Sequence, residues 1–373
     1  MQYRDFGNTG VKISALGFGA MRLKEFEKNG EWYVEDRAID VIRRAFELGV
    51  NYIDTAYGYC HGNSEIVVGK ALKGWRDRVY LSTKLPTYMV TGKSDYRKFL
   101  EEQLTKLDVD YIDFYHFHDL NRNRFENLVL KYDLISEAQK AKEEGLIRHI
   151  SFSFHDDPEV LKMLVDTGVF ETLLCQYNLL DRANEEAMAY ARSKGIGVAV
   201  MGPVAGGRLC APSDVIRGLM KESSKSAPEI ALRFVLANPN VSCALSGMST
   251  IEMVEENAKV ASMEEPLSRE EYDHIREVLE QNEKLSDLYC TGCNYCMPCP
   301  NEVNIPLNFR LMNDYRVYGL KDYAREQYQK IGTSLDLPGK RADECVECGE
   351  CEGKCPQRIR IKDQLKEVAR VLA

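Results

Sequence analysis

Two sets of residues in this 373-residue chain have types and spacings that could do chemistry. The first is cysteine: eight of the twelve lie in the last quarter, in two runs. Cys290, Cys293, Cys296 and Cys299 form one run, and Cys345, Cys348, Cys351 and Cys355 the other, each closing in Cys-Pro. The second run has the C-x2-C-x2-C-x3-C-P spacing by which thiolates hold a [4Fe-4S] cubane, and the first is one residue shorter before its last cysteine. A cubane needs four thiolates, and two intervening residues let a tight turn wrap one of its corners. C-x2-C pairs also suit tetrahedral zinc, but four cysteines per run ending in Cys-Pro favour clusters. The second set is polar: Asp54, Lys84, His118, Ser153 and Gln176 each close a short apolar run, the first four at intervals of 30, 34 and 35 residues. Singly, Asp54 could cap a helix, Lys84 could be a solvated strand end and His118 a core histidine. In series they are spaced by about one βα unit each, which would ring them around one mouth.

The elements that must position them follow from periodicity. Short β-branched runs alternate with amphipathic stretches from residue 14 to about 260. The runs are Ala15 to Gly19, Tyr52 to Thr55, Val79 to Thr83, Tyr111 to Phe117, His149 to Ser153, Thr172 to Gln176, Gly197 to Met201 and Ser242 to Ser246. Helices are expected at Asp36 to Leu48, Asp95 to Leu107, Ser136 to Glu144, Pro158 to Val165, Glu185 to Ser193 and Ala227 to Ala237, several closed by glycine. Eight strands alternating with helices predict an α/β fold, a closed (β/α)8 TIM barrel, and no Gly-x-Gly-x-x-Gly follows the first strand to favour an open dinucleotide-binding sheet. Met1 to Ile13 reads as a hairpin plugging the barrel floor. A helix from Ser268 to about Leu285 leads to the cysteines, and Asn308 to Lys330 should form two short helices. The expected domains are a barrel over 1–284 and a small helix-and-loop iron–sulfur domain over 285–373.

Composition narrows the class. A hydrophobic fraction of 44% and a charged fraction of 29% are those of an ordinary globular protein. No apolar run reaches the roughly 20 residues that span a bilayer, so no membrane partner is expected. A net charge of −9 argues against nucleic acid. The N-terminus lacks the blocks of a signal peptide, which places the cysteines in the cytoplasm as thiols or ligands, with disulfides the weaker reading. Cys60, Cys175, Cys210 and Cys243 read as packing or loop thiols, Cys60 adjoining Tyr59.

The stretch Asn51-Tyr-Ile-Asp54-Thr55-Ala56-Tyr57-Gly58-Tyr59 resembles the Asp-Thr-Ala-x-x-Tyr signature of the aldo-keto reductases. So do Asn63-Ser64-Glu65, Leu81-Ser-Thr-Lys84, Asp110 to His118, Gly145 to Ser153, Gln176-Tyr-Asn178 and Glu256-Asn257, in the family's order over residues 3 to 260. The resemblance implies a catalytic tetrad of Tyr59, Lys84, Asp54 and His118. Physical chemistry agrees: hydride transfer to a carbonyl leaves an alkoxide that needs a proton, and a phenol with pKa near 10 is a reluctant donor. Lys84 would lower that pKa, Asp54 would fix Lys84, and His118 would hydrogen-bond the substrate oxygen. His116, two residues earlier, points the same way in strict alternation.

For the cofactor, the resemblance assigns Ser153 and Gln176 to the nicotinamide carboxamide and Met201 to the ring face. Gly202, Gly206 and Gly207 lie in a loop that could meet a pyrophosphate. Ser249 to Glu252 reads as a capping box whose helix N-terminus favours an adenosine phosphate, with Asn257 on the same helix. Gly247 and Met253 stand where NADPH-preferring members often carry Lys and Arg, which leaves NADP or NAD open. The cysteine runs make the chain resemble a subset of these reductases with a C-terminal ferredoxin-type domain holding two clusters. In two-cluster ferredoxins the fourth cysteine serves the other cluster, so Cys290, Cys293 and Cys296 would join Cys355, and Cys345, Cys348 and Cys351 would join Cys299. Alternatively each run holds its own.

The expected function is reduction of a small-molecule carbonyl with NAD(P)H, the clusters exchanging electrons with a ferredoxin or flavodoxin. Hydride carries two electrons and a cubane usually passes one, so a flavin such as FMN could connect them. Arg358, Arg360 and Lys362 could attract an acidic partner, or be a solvated basic face. The rival readings are an electron-transfer or docking protein on a vestigial barrel, and a ferredoxin-driven reductase without nicotinamide. The loops near Arg22 to Trp32, Tyr88 to Lys93 and Asn121 to Leu130 carry no motif that names a substrate.

Overall fold

The computed structural model describes residues 1–205, 226–286, 296–334, 336–355 and 359–373, together with Leu209 and Leu219. Gly206, Gly207, Cys210, Cys290, Cys293 and Arg358, singled out above, lie outside the described residues.

Eight parallel strands form the barrel: β1 (Leu16–Gly19), β2 (Tyr52–Asp54), β3 (Tyr80–Leu85), β4 (Ile112–Leu120), β5 (Ile147–Phe154), β6 (Thr172–Gln176), β7 (Gly197–Met201) and β8 (Cys243–Ser246). Each pairs with its neighbours in chain order, and β8 pairs with β1 to close the ring. Three strands outrun their sequence estimates, β5 by two residues at its start and one at its end. β3 continues through Lys84 to Leu85 and β4 through His118 to Leu120. A lysine or histidine looks like the end of an apolar run, but each sits within the strand.

The N-terminal hairpin pairs Tyr3–Asp5 with Lys12–Ser14. The buried Phe6 then packs edge-on against Tyr52 and Phe114, at ring-centroid distances of 5.7 and 4.9 Å, in a cluster with Ile13, Leu174, Ala199, Cys243 and Leu245. This is the anticipated plug. Gly7, at φ 63°, approaches the neighbouring backbone so closely that a Cβ there would stand 2.3 Å from the Gly197 nitrogen.

Helices surround the barrel at Arg37–Glu47, Ser64–Leu72, Asp95–Leu107, Leu134–Glu143, Pro158–Asp166, Glu185–Ser193, Ala227–Ala237 and Ile251–Val260. A second hairpin, Glu25–Lys28 with Glu31–Val34, follows β1 and has no counterpart in the sequence reading.

By packing, the chain divides into two compact units, Met1–Gly206 with Ala231–Leu267, and Gly207–Ile230 with Ser268–Ala373. The second contains helices Arg269–Ser286, Ile305–Arg316, Lys321–Lys330 and Ile361–Leu372. Leu307, Leu311, Tyr328, Ile361, Leu365 and Leu372 belong to its core, with Cys296 and Cys351 buried among them. Among the described residues, no helix is long and apolar enough to cross a membrane.

Candidate active site and cluster-binding segment

Parallel pairing sets Asp54 at the end of β2 beside Ser82 of β3, and strand alternation turns Lys84 to the same side as Ser82. The ammonium is almost wholly buried, at 1% exposure, and all three of its protons have takers. Lys84 Nζ donates to Asp54 Oδ1 at 2.5 Å, to the Thr55 carbonyl at 2.7 Å and to Tyr59 Oη at 3.2 Å. Ser82 Oγ donates to the other carboxylate oxygen at 2.8 Å. Burial works against the charge on Lys84, but Asp54 and then Tyr59 outweigh it, and its pKa lies above the ordinary lysine value. Tyr59 departs from expectation. Burial raises its phenol by more than Lys84 lowers it, so the net shift is upward.

His118 stands edge-on to Tyr59 and to Tyr88, each at a centroid distance of 6.0 Å. Burial, followed by the charge of Lys84, pushes its pKa down to about 2, so the ring is neutral at ordinary pH. Its Nδ1 is buried with no hydrogen-bond partner among the described residues. An unpaired buried N–H costs more than an unused lone pair, so the proton belongs on Nε2. The asymmetry of the site thus selects the tautomer.

His116 is fully buried in register with Lys84, and burial pushes it down to about 4. The Phe152 carbonyl acts on it, yet neither ring nitrogen makes a hydrogen bond of normal geometry. Its register with Lys84, and the influence of the Asp54 and Lys84 charges on it, set it beside the lysine. Behind β3, buried Glu65 accepts from Thr83 at 2.7 Å and Gln103 at 2.5 Å, and Tyr115 donates to Gln103 at 2.6 Å, bracing the strand that carries Lys84.

The loop carrying Tyr59 is held under strain. Cys60 and His61 both adopt left-handed backbone at φ 51°, a conformation costing a non-glycine residue about 1–3 kcal/mol. Compensation comes from the second hairpin. Trp32 stacks flat on His61 at 4.5 Å, His61 Nδ1 meets Glu25 Oε1 at 2.8 Å, and Asn63 donates to the Trp32 carbonyl at 2.8 Å.

The residues expected at the cofactor line the other half of the mouth, at the ends of β5 to β8. Gln176 and Met201 are in register, and the Gln176 side-chain amide has no hydrogen-bond partner among the described residues. That amide lies against Gly202, where a Cβ would stand 2.6 Å from its nitrogen, so glycine leaves room for an amide with a free donor and acceptor. A planar carboxamide fits that chemistry. Ser153 is buried and accepts from the Asp119 N–H at 2.7 Å, leaving its own proton to give. Asn257 donates to Ser246 at 3.1 Å. The cap of helix Ile251–Val260 is Thr250, accepting from Met253 N at 3.3 Å, not Ser249 as the capping-box reading had it. Ser249 instead lies beside the Met253 sulfur. The Arg22 side chain packs within 3.4 Å of where a Cβ at Gly247 would lie.

Among the described cluster-forming cysteines, Cys296 and Cys351 are buried, Cys299, Cys345 and Cys355 half-buried, and Cys348 exposed. The Cys351 thiol is raised by burial and then by Cys345 of its own run, the Glu352 carboxylate and, least, Cys299 of the other run. Left-handed backbone at Glu347 and Gly349 bends the chain between these cysteines. Among the described residues, no three metal-ligating side chains converge on a point that one ion could fill. A cubane does not ask that, because each thiolate bonds a different iron. Cys299 of the first run and Cys345 of the second both pack against the core that holds Cys351. Arg360 pairs with Asp363, and Lys362 with Glu352 at 3.5 Å, so these two cations are locally compensated.

Residues 15–280 match the model of the aldo/keto reductase family, and residues 289–359 match that of the 4Fe-4S dicluster domain. The chain belongs to the aldo/keto reductase family. This reductase is 30% identical over 316 residues to L-galactose dehydrogenase of Arabidopsis thaliana, covering 77% of this chain and 97% of that one. It is 28% identical to the NADH-specific methylglyoxal reductase of Escherichia coli, covering 74% and 98%. The holo form of an aldo-keto reductase from Bacillus halodurans superposes with a TM-score of 0.65 at 28% identity, over 74% of this chain and 96% of that one. The enzyme is therefore an NAD(P)-dependent oxidoreductase of aldo-keto reductase type with an iron–sulfur domain.

Sequence reasoning missed three contributors to the reductase site: Ser82, the Thr55 carbonyl and Tyr88. Alternation along β3 carries a signal for Ser82, two residues before Lys84 on the same face. Tyr88 gave none, being one aromatic in a loop.

Proposed function

We propose that this reductase converts an aldehyde or ketone to its alcohol, with Tyr59 as the proton donor and NADP or NAD as the nicotinamide cofactor. The observation that carries the reading is the buried chain Asp54–Lys84–Tyr59, met by the edge of His118. When bound, the nicotinamide supplies hydride. Ser153, Gln176, Met201 and Gly202 would hold its carboxamide end, and Gly206, Gly207, Gly247, Ser249 and Asn257 the rest of the dinucleotide. His118 Nε2–H donates to the carbonyl oxygen, fixing its position and favouring the charge that develops there. Tyr59 Oη gives its proton to the resulting alkoxide. The Lys84 ammonium stabilises the tyrosinate left behind, and Asp54, Ser82 and the Thr55 carbonyl keep that ammonium from turning away.

The second part of the proposal concerns residues 285–373, as a domain with two [4Fe-4S] clusters. Cys290, Cys293, Cys296 and Cys355 would hold one, and Cys345, Cys348, Cys351 and Cys299 the other. The electrostatic influence of Cys299 on Cys351, and the packing of Cys299, Cys345 and Cys351 on one core, support sharing over one cluster per run. The clusters exchange single electrons with a ferredoxin or flavodoxin, and contact with hydride chemistry would need a flavin such as FMN.

Tyr59→Phe tests the first part. Its kcat for carbonyl reduction should fall by about 10²–10⁴ while the circular dichroism stays native; undiminished turnover overturns the assignment. Anaerobic titration with NADPH and NADH, with and without FMN, tests the second. Cluster bleaching in none of these conditions, nor with reduced ferredoxin, would make the clusters structural.

A further inference from the structure

Of the eight parallel ladders that close the ring, one slips register. Phe117 of β4 pairs with Phe152 of β5 and Leu120 with Phe154, so His118 and Asp119 together stand opposite the single residue Ser153. Two residues facing one make a β-bulge, which at barrel rims and active sites re-aims a side chain. The second residue of the bulge is left-handed. Asp119 has φ 54°, a conformation open to glycine and, at some cost, to aspartate, and closed in practice to β-branched residues.

Three neighbours hold the bulge. The Asp119 N–H is taken by Ser153 Oγ at 2.7 Å, and the His118 carbonyl accepts from the buried Thr87 hydroxyl at 2.5 Å. Arg124 Nη1 donates to the Asp119 carbonyl at 2.7 Å and also meets the Asp119 carboxylate. The Arg124 N–H is in turn taken by Asn121 Oδ1 at 2.8 Å, which fixes the turn that brings the arginine back to the bulge. The His118 ring itself lacks such a hold. A reacting imidazole is commonly fixed by a hydrogen bond at the nitrogen away from the substrate, yet Nδ1 of His118 is buried without a partner among the described residues. Its aim must come from the backbone that bears it.

We propose that Asp119 and Arg124 are positioning residues: the left-handed bulge, closed by Arg124, aims His118 Nε2 at the carbonyl oxygen. This rests on the part given to His118 in the carbonyl reduction proposed above. Paired residues share a face, so the bulge also turns Leu120 to the side of Phe152 and Phe154, where unbroken alternation would have set it with His118. Ser153 ties the bulge to the proposed nicotinamide site, because the hydroxyl that accepts from Asp119 is the one expected to donate to the carboxamide.

Two variants alike in charge test the backbone. Glycine adopts φ 54° readily and valine does not, so in the full-length holoprotein Asp119→Gly should keep kcat for 4-nitrobenzaldehyde within about threefold of wild type, and Asp119→Val should lower it by about 10²-fold. Arg124→Ala should lower kcat by about tenfold, and Arg124→Lys, still able to donate to the Asp119 carbonyl, should regain most of that loss. On a His118→Ala background neither Asp119→Val nor Arg124→Ala should lower kcat further, since the residue they act through is gone. A glycine variant as slow as the valine variant, or losses that add on the His118→Ala background, overturns the proposal. If Asp119→Val does not fold, the Arg124 variants decide by the same cycle.

Histidine-labelled holoprotein gives a readout apart from turnover. The His118 imidazole resonance, assigned by its loss in His118→Ala, should lie close to wild type in Asp119→Gly and be displaced in Asp119→Val. Coincident resonances in the two overturn this inference and leave carbonyl reduction standing. No turnover of any aldehyde by the wild type overturns carbonyl reduction itself, while a displaced resonance in Asp119→Val alone would retain the bulge as what aims this histidine.

Discussion

A lysine with 1% exposure keeps its charge because a carboxylate, a carbonyl and a phenol each take one of its protons. Removing the carboxylate should therefore do more than slow catalysis. Asp54→Asn leaves a buried ammonium uncompensated, and we expect a loss of about 3–5 kcal/mol in chemical denaturation alongside a fall in kcat. The histidines predict a pH dependence of known sign. His116 titrates near 4 when folded and near 6.5 when unfolded, so below about pH 6.5 the unfolded chain binds the extra proton. Its contribution to stability is full above that value and declines on acidification by about 1.4 kcal/mol per pH unit until about pH 4, and His118, pushed down to about 2, adds a like slope over the same window. Urea midpoints between pH 7 and 5 check this, and His116→Phe should lessen the slope by about 1.4 kcal/mol per pH unit while leaving the part that His118 carries. Residue types and spacing made the proposed tetrad legible in the sequence. The upward shift of Tyr59 was not legible, because it depends on how far burial outweighs one ammonium.

Among elements, the strands most faithful to the sequence are β6 and β7, whose apolar runs stop where the chain turns. β3 and β4 run past their estimates because the residues that seemed to end them are polar and inward. The hairpin after β1 was illegible for a different reason: its strands are mostly exposed and have no alternating apolar face. Helix Ile361–Leu372 could have been read from Ile361, Leu365, Val368 and Leu372, spaced for one buried stripe. The N-terminal plug makes a prediction at this scale. Phe6 fills the barrel floor against two aromatic rings, so Phe6→Ala should cost about 3–5 kcal/mol, seen as a lowered thermal midpoint with the Asp54–Lys84 pair still formed.

At the scale of the whole molecule, a barrel of aldo/keto reductase type and a 4Fe-4S dicluster segment share one chain. The proposed sharing of clusters between runs has a direct consequence for iron content. Cys299→Ser and Cys351→Ser should each remove the same cluster and about half the iron, and the double variant should lose no more than either alone. Additive losses across these two positions would assign each run its own cluster. The tie between helix Lys321–Lys330 and the second run is local: Tyr328 Oη donates to Asp343 Oδ1 at 2.9 Å, two residues before Cys345. Tyr328→Phe should lower the urea midpoint of cluster release, by a free energy of about 0.5–1.5 kcal/mol.

The proposed sharing of thiolates between the two runs also orders events during synthesis. Domains fold from the N-terminus as the chain emerges, so the barrel strands, complete by Ser246, can close early. A cluster that draws thiolates from both runs cannot close until the second run, Cys345 to Cys355, has left the ribosome. On that proposal iron loading follows closure of the barrel, and a nascent chain stalled between the runs would present Cys290 to Cys299 as bare thiols.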